Sequence, residues 1–266
     1  MSDDFKSKYL EDYLAIWKDA EFRDDTEDLD TKYEELSKVI GEYAQLNNQF
    51  INIFNLKKQK VLFMSENYVE ILGYNYSQEQ YKKWSIFYWL RDLPLTQSYF
   101  ILQLSQFYKK TISPLLNTQD QTKSLSWYMH NFQLKPPGAK RRHLGLTCSA
   151  LEISKTGKLE IILIINNNIE SQIKNTDVWW FDILVNNNEK YSYNSIDKKM
   201  VPKPILSDRE KEILKLIENG KDTRSIAENL DLSPLTVEKH RKNMLDRTGA
   251  KDISMLLQIC RFGNVI

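Results

Sequence analysis

Glu238, Lys239, Arg241 and Lys242 crowd into five positions behind Thr236, in the segment SPLTVEKHRK that begins at Ser233. Helical spacing turns Val237 and Met244, with Leu245, to one side and leaves the four charged side chains on the other. An ammonium or guanidinium on such a face can donate to phosphate oxygens or to acceptors on a base edge, and a carboxylate can accept from an exocyclic amine. This is the chemistry of a surface that reads a polyanion, with no group set to make or break a bond.

Other chemistry is sparse. The three histidines, His130, His143 and His240, stand outside any H-E-x-x-H pattern, and the chain has no G-x-S-x-G, no P-loop and no G-x-G-x-x-G. Cys148 lies in the apolar run LGLTCSALEI and reads as a buried thiol; with Cys260 it has no metal-ligand spacing, and two cysteines fit a reducing compartment. No enzyme activity, cofactor or metal is expected. The opening residues MSDDFKSKYL lack a signal-peptide pattern, and the longest apolar stretch, 161–165, is far below the ~20 residues of a membrane helix, so a cytoplasmic protein is expected.

The elements that must position the charged face are sharply punctuated. Ser207 and Glu210 have capping-box spacing before the apolar stripe Ile213, Leu214, Leu216 and Ile217, and Asn219-Gly220 ends that helix. Thr223 can cap a short helix 224–230, the turn Asp231-Leu232 follows, and Ser233 caps a third helix with Pro234 in its first position, running to about Arg247. Two helices joined by a short turn, the second with a cationic outer face, meet the requirement for helix-turn-helix entry into a major groove. A last helix from Asp252 carries Ile253, Leu256, Leu257, Ile259 and Cys260.

Leu206-Ser207, Arg209-Glu210, Glu212-Ile213-Leu214, Gly220, Ile226-Ala227, Leu230, Leu232-Ser233, Thr236-Val237 and His240 together resemble the LuxR/GerE DNA-binding domain over 205–266. The resemblance implies four helices, a homodimer whose last helices pair, double-stranded DNA as partner and transcriptional control in bacteria. By position it implies base reading by Glu238, Lys239 and Lys242 and phosphate contact by Thr236 and Arg241. Glu238 stands where many members carry lysine, and an acidic side chain favours cytosine N4 over guanine. His240 is expected to be structural, and Arg209-Glu210 an internal ion pair. The segment 206–237 is also similar to the promoter-binding end of small sigma factors, which keeps a polymerase subunit, or contact with RNA polymerase, open as an alternative.

The rest of the chain is differently composed. Of 266 residues 41% are hydrophobic and the formal net charge is +1, which suits globular domains and excludes a polycation that coats nucleic acid by charge alone. Residues 1–46 hold 6 basic and 14 acidic residues, a net −8, on an aromatic skeleton (Tyr9, Tyr13, Ile16, Trp17, Tyr33, Leu36, Ile40, Tyr43) that reads as two acidic helices. Over 47–189 an opening hairpin (50–54 and 60–64), a short helix ending at Gly73, a helix 95–112 before Pro114, strands 125–134, 143–153 and 159–166, and an apolar patch 179–185 give an α+β fold with an antiparallel sheet.

Strand order and the segment Ser65-Glu66-Asn67-Tyr68-Val69-Glu70-Ile71-Leu72-Gly73-Tyr74 resemble the PAS sensor fold over about 47–170. The resemblance makes Phe63, Leu72, Trp84, Trp127 and Leu146 candidates for a ligand pocket, and a small-molecule sensor a further alternative. A filled core or a protein-interaction domain is expected instead, because no paired polar groups converge in the sequence to orient a ligand. The polar stretch 190–204, with Pro202 and Pro204, reads as a linker to the DNA-binding domain at 205–266.

Overall fold

The structure, a computed structural model, describes residues 34–56, 58–73, 91–117 and 123–266. The expected helix around Tyr9 to Trp17, and Trp84 with its aromatic neighbours 87–89, lie outside the described residues. Helix α1 (Glu34–Leu46) leads into strands β1 (Phe50–Asn55) and β2 (Lys60–Met64), then the short α2 (Tyr68–Leu72). Helix α3 (Leu95–Phe107) widens into a π-helical turn, Tyr108–Ile112, and continues as α4 (Ser113–Leu116). The helical run was expected to stop before Pro114. It continues through Pro114, the second residue of α4, directly after the π turn.

Strands β3 (Leu125–Leu134), β4 (Arg142–Ile153), β5 (Leu159–Asn168), β6 (Trp180–Val185), β7 (Glu189–Asn194) and β8 (Lys199–Val201) complete one antiparallel sheet in the order β2-β1-β5-β4-β3-β6-β7-β8. The first five form the α+β sheet expected from the sequence, and β6 to β8 extend it past β3. The expected linker 190–204 is therefore corrected. Most of it is strand, because Asn186 and Asn187, at φ 49° and 57°, make a tight left-handed turn that folds β7 back onto β6.

Alternation along the strands divides the core. On one face Phe50, Phe54, Met129, Phe132, Phe181 and Ile183 meet α3, the π turn and α4 through Phe100, Ile112 and Leu116. Phe100 sets its ring edge-on to Trp179 and Phe181, with centroids 5.0 and 5.4 Å away. In the π turn, the Tyr108 hydroxyl donates to the Gly157 carbonyl at 2.8 Å and accepts from Leu159 N at 2.9 Å, pinning the β4–β5 hairpin to the helix. On the opposite face Ile53 and Ile161 pack with Ile40 and Phe63 beside α1, while Tyr128 and Trp180 of β3 and β6 join the core of the C-terminal helices.

Those helices are α5 (Asp208–Glu218), α6 (Thr223–Leu230), α7 (Pro234–Thr248) and α8 (Ile253–Phe262). Ser207 and Glu210 form the expected capping box, and Ser233 caps α7 with Pro234 at its start. The cap of α6 is Asp222 in place of Thr223: its carboxylate accepts from Ser225 N, which sets the helix one residue earlier than expected. None of the described helices is long and apolar enough to cross a membrane.

Candidate nucleic-acid interface

Helix α7 lies across its own domain with Val237, Met244 and Thr248 fully buried and its N-terminal half turned outward. Asp231 at φ 52° ends α6 in the left-handed conformation, which an aspartate tolerates. The turn to Ser233 then sets the two helices in helix-turn-helix order. Lys239 and Lys242 are exposed on α7, Glu238 beside them is exposed too, and Thr236 and Arg241 are half-buried. All five residues marked in the sequence thus fall on or beside one outward face. His240 is half-buried, in line with a structural position.

Glu238 does not stand free. Its Oε1 accepts from the Thr223 hydroxyl at 2.6 Å and pairs with Arg241 at 3.3 Å, while Arg241 Nη1 also donates to Thr223 Oγ1 at 2.8 Å. This triad bolts α6 to α7 and cancels one positive charge against one negative, so the net cationic groups of the face are Lys239 and Lys242. The expected Arg209-Glu210 pair is corrected: Arg209 pairs with Glu212 at 3.0 Å, and Glu210 is taken by Arg247 at 2.6 Å. Burial alone would raise the Glu210 carboxyl, but the hydrogen bonds from Arg247 and from Ser207 outweigh it and hold it below its ordinary range.

The far end of α7 is clasped by the connection between β5 and β6 and by the end of β7. Gly249, at φ 72°, ends the helix where a Cβ would meet Val178 at 3.0 Å and the Asn175 carbonyl at 3.1 Å, so both conformation and space call for glycine. Its carbonyl accepts from Lys174 N at 2.9 Å, Asn194 Nδ2 donates to the Arg247 carbonyl at 2.7 Å, and Lys251 N donates to the Gln172 carbonyl at 3.0 Å. Helix α8 is held alongside: Thr147 Oγ1 donates to the Phe262 carbonyl at 2.7 Å, and a Cβ on Gly263 would come within 2.8 Å of the Tyr128 ring. The sequence does not mark these residues, since contacts between distant segments leave no local pattern.

The clasp carries buried polar groups at a cost. His130 stacks on Trp180 with centroids 5.3 Å apart, and burial pushes its imidazole down to about 3, which keeps it neutral. His130 Nε2 and Trp180 Nε1 are buried without hydrogen-bond partners. Burial pushes the Asp182 carboxyl up to about 7 against the hydrogen bond from Ile205 N and the charges of Lys211 and Lys190. Two pairing surfaces are expected from the sequence, the N-terminal aromatic helices and the last helix, α8, with Leu256, Leu257 and Cys260. Leu256 and Cys260 are fully buried inside the chain, so the expectation for α8 is corrected, and Leu257 is half-buried.

Beneath the other face of the sheet lies a cavity of about 180 Å³, between the strands and helices α3 and the π turn. Trp127 and Leu146 line it with Met129, Ile164, Phe181 and Cys148. The expectation of a filled core is corrected here. Phe63 turns away toward α1, Leu72 is buried in the same core without reaching the cavity, and Trp84 lies outside the described residues. Among the described residues no group of three or more His, Cys, Asp or Glu side chains could hold a metal ion.

A capped helix-turn-helix with an outward cationic second helix, set on an α+β sheet domain, defines the class of DNA-binding regulators. Residues 204–260 match the family described as bacterial regulatory proteins, luxR family. The spore germination protein GerE of Bacillus subtilis is 33% identical over 70 residues, which are 26% of this chain and 95% of GerE. The transcriptional regulatory protein FixJ of Rhizobium meliloti is 40% identical over 58 residues, 22% of this chain, and the match spans only 28% of FixJ's own length. The chain belongs to the luxR family of bacterial regulatory proteins. A solved structure described as VqmA bound to DPO aligns over 85% of this chain and 86% of that one at 15% identity, with a TM-score of 0.28, a likeness from which nothing further follows.

Proposed function

We propose that this regulator binds double-stranded DNA as a homodimer, with the N-terminal half of α7 in the major groove of each half-site. The observation that carries this is the face of α7: two exposed lysines on a helix whose start is fixed by Ser233 and Pro234 and whose back is locked by Val237 and Met244. In this reading Lys239 and Lys242 donate to base acceptors, Thr236 and Arg241 touch phosphates, and Glu238 accepts from a cytosine amine once Arg241 turns to the backbone. Phosphate contacts supply much of the affinity, so binding falls steeply as salt rises. The domain limits that go with it are 1–46, 47–201 and 205–266, joined by a short connection.

Pairing through α1 fits the structure better than pairing through α8. Val39, Tyr43 and Leu46 recur at helical spacing with 66%, 52% and 86% of their surface exposed, whereas Leu256 and Cys260 are inside. A gel-shift on DNA upstream of the gene tests the whole reading: a shifted band that survives competitor DNA supports it, and binding to all sequences alike at every salt concentration sinks it.

The cavity favours a second reading, that the sheet domain senses an uncharged apolar molecule. An engineered apolar cavity of about 150 Å³ takes up benzene, and this one is about 180 Å³. Native mass spectrometry and an absorption spectrum of freshly purified protein test it: a stoichiometric small molecule supports a sensor, and its absence with no uptake of benzene counts against one.

A further inference from the structure

Leu235 has no place in the assignments above. It is the second residue of α7 and 80% exposed, the most exposed large apolar side chain described in the C-terminal helices. A lone surface leucine needs no explanation in general. Its position supplies one here. Lys239 and Lys242 follow four and seven residues later, so the three form a single stripe on the face opposite Val237 and Met244. Ser233 accepts from Thr236 N at 3.1 Å and Pro234 fixes the backbone, so the Leu235 Cα is held rigidly at the leading tip of the helix.

Recognition helices present their N-terminal residues to base edges. In the major groove the one apolar feature of those edges is the C5-methyl of thymine, which apolar side chains contact. We infer that Leu235 is a specificity-determining residue that packs on a thymine C5-methyl, next to the bases met by Lys239 and Lys242. The inference rests on the proposed groove entry of α7 and adds to it the identity of one base. The leucine is desolvated only in the complex, so its contribution appears in DNA binding and not in the stability of the free protein.

The test uses the full chain. An operator is first selected from a random duplex pool, and each thymine in it is then replaced by deoxyuridine, which deletes only the methyl group. Binding of the wild type and of Leu235→Ala is measured by fluorescence anisotropy at one salt concentration. The expected result is one thymine per half-site whose replacement weakens the wild type by about 3- to 10-fold and leaves Leu235→Ala unchanged. Leu235→Ala keeps its preferences at the other positions. If an operator is selected but every replacement affects both proteins equally, the inference is overturned and groove entry stands; if no sequence is selected, both fall.

Discussion

Trp127 and Tyr128 are neighbours on β3 that face opposite sides of the sheet: Trp127 lines the apolar cavity, and Tyr128 packs into the core of the DNA-binding helices. On β6 the same alternation sets Phe181 and Ile183 on the cavity and Trp180 and Asp182 under the helices. The two strands pair directly, Tyr128 opposite Asp182. A molecule that altered the packing of the cavity would therefore act on the clasp through the thickness of one sheet, and it would shift the arrangement only by as much as it bound one state better than the other.

Asp182 makes the clasp sensitive to pH. Its carboxyl is raised from 3.8 to about 7 in the folded chain, first by burial, with Tyr128, Lys190, Lys211 and Cys260 around it. The protonated form is the one the fold favours. The stability it contributes is full below about pH 4 and is lost as pH rises through 7. Asp182→Asn keeps an oxygen that accepts from Ile205 N and removes the charge. It is expected to stabilise the protein at pH 8 by about 1–2 kcal/mol, discounted for partial exposure, or roughly 2–8 °C in Tm. Near pH 4 it is expected to change nothing. Calorimetry at the two pH values checks this, and an equal shift at both refutes it.

Cys260 reports on the same seam. Burial pushes its thiol up to about 12, and burial raises the Cys148 thiol as well. Neither is expected to react with a thiol reagent at pH 8 in the folded protein, and both react in urea. Undocking of the helices exposes Cys260 before Cys148, so Gly263→Ala, which crowds Tyr128, is expected to speed labelling of Cys260 alone. Mass spectrometry of the labelled peptides reads the order.

The core prediction concerns Phe100, which has 1% of its surface exposed and sits against Trp179, Phe181 and Tyr193. Phe100→Ala is expected to cost about 3–5 kcal/mol, read as a lower midpoint in urea. A loss under about 1 kcal/mol would mean that the helices pack on the sheet far more loosely than described.

If the proposed dimer pairs through the exposed side of α1, replacing Val39 and Leu46 by Glu is expected to leave the fold intact and give a monomer in sedimentation where the wild type gives a dimer, because neither side chain is buried within the chain. The same variant is expected to bind a single half-site as before and a full operator about 10-fold or more weakly, as the second contact is no longer tethered.

Local signals were legible and distant ones were not. β3 runs over 125–134 as expected, and β4 and β5 differ from expectation by one or two residues at one end. The caps Ser207 and Ser233 were readable because a cap is a relation within three residues. β7 was missed because Glu189–Asn194 is polar in sequence and is buried at Ser192 and Asn194 only by its neighbours. The Glu210–Arg247 pair and the Glu238–Arg241–Thr223 triad join different helices, so spacing pointed to the nearer but wrong partner for Glu210. The face of α7 was legible since helical period alone defines it, whereas the cavity was not, because a cavity is what side chains fail to fill.

Sequence-specific reading by α7 is the central claim, and binding of the wild type, Lys239→Ala and Lys242→Ala to a selected operator and to a scrambled duplex tests it most directly. Fluorescence anisotropy across about 50–200 mM salt should show the wild type preferring the operator at every salt concentration, with affinity falling steeply. Each lysine variant should lose about 1–3 kcal/mol on the operator if its lysine contacts a base, and much less on the scrambled duplex. Equal affinity of the wild type for both duplexes, or equal losses on both for each variant, would contradict base reading by this helix.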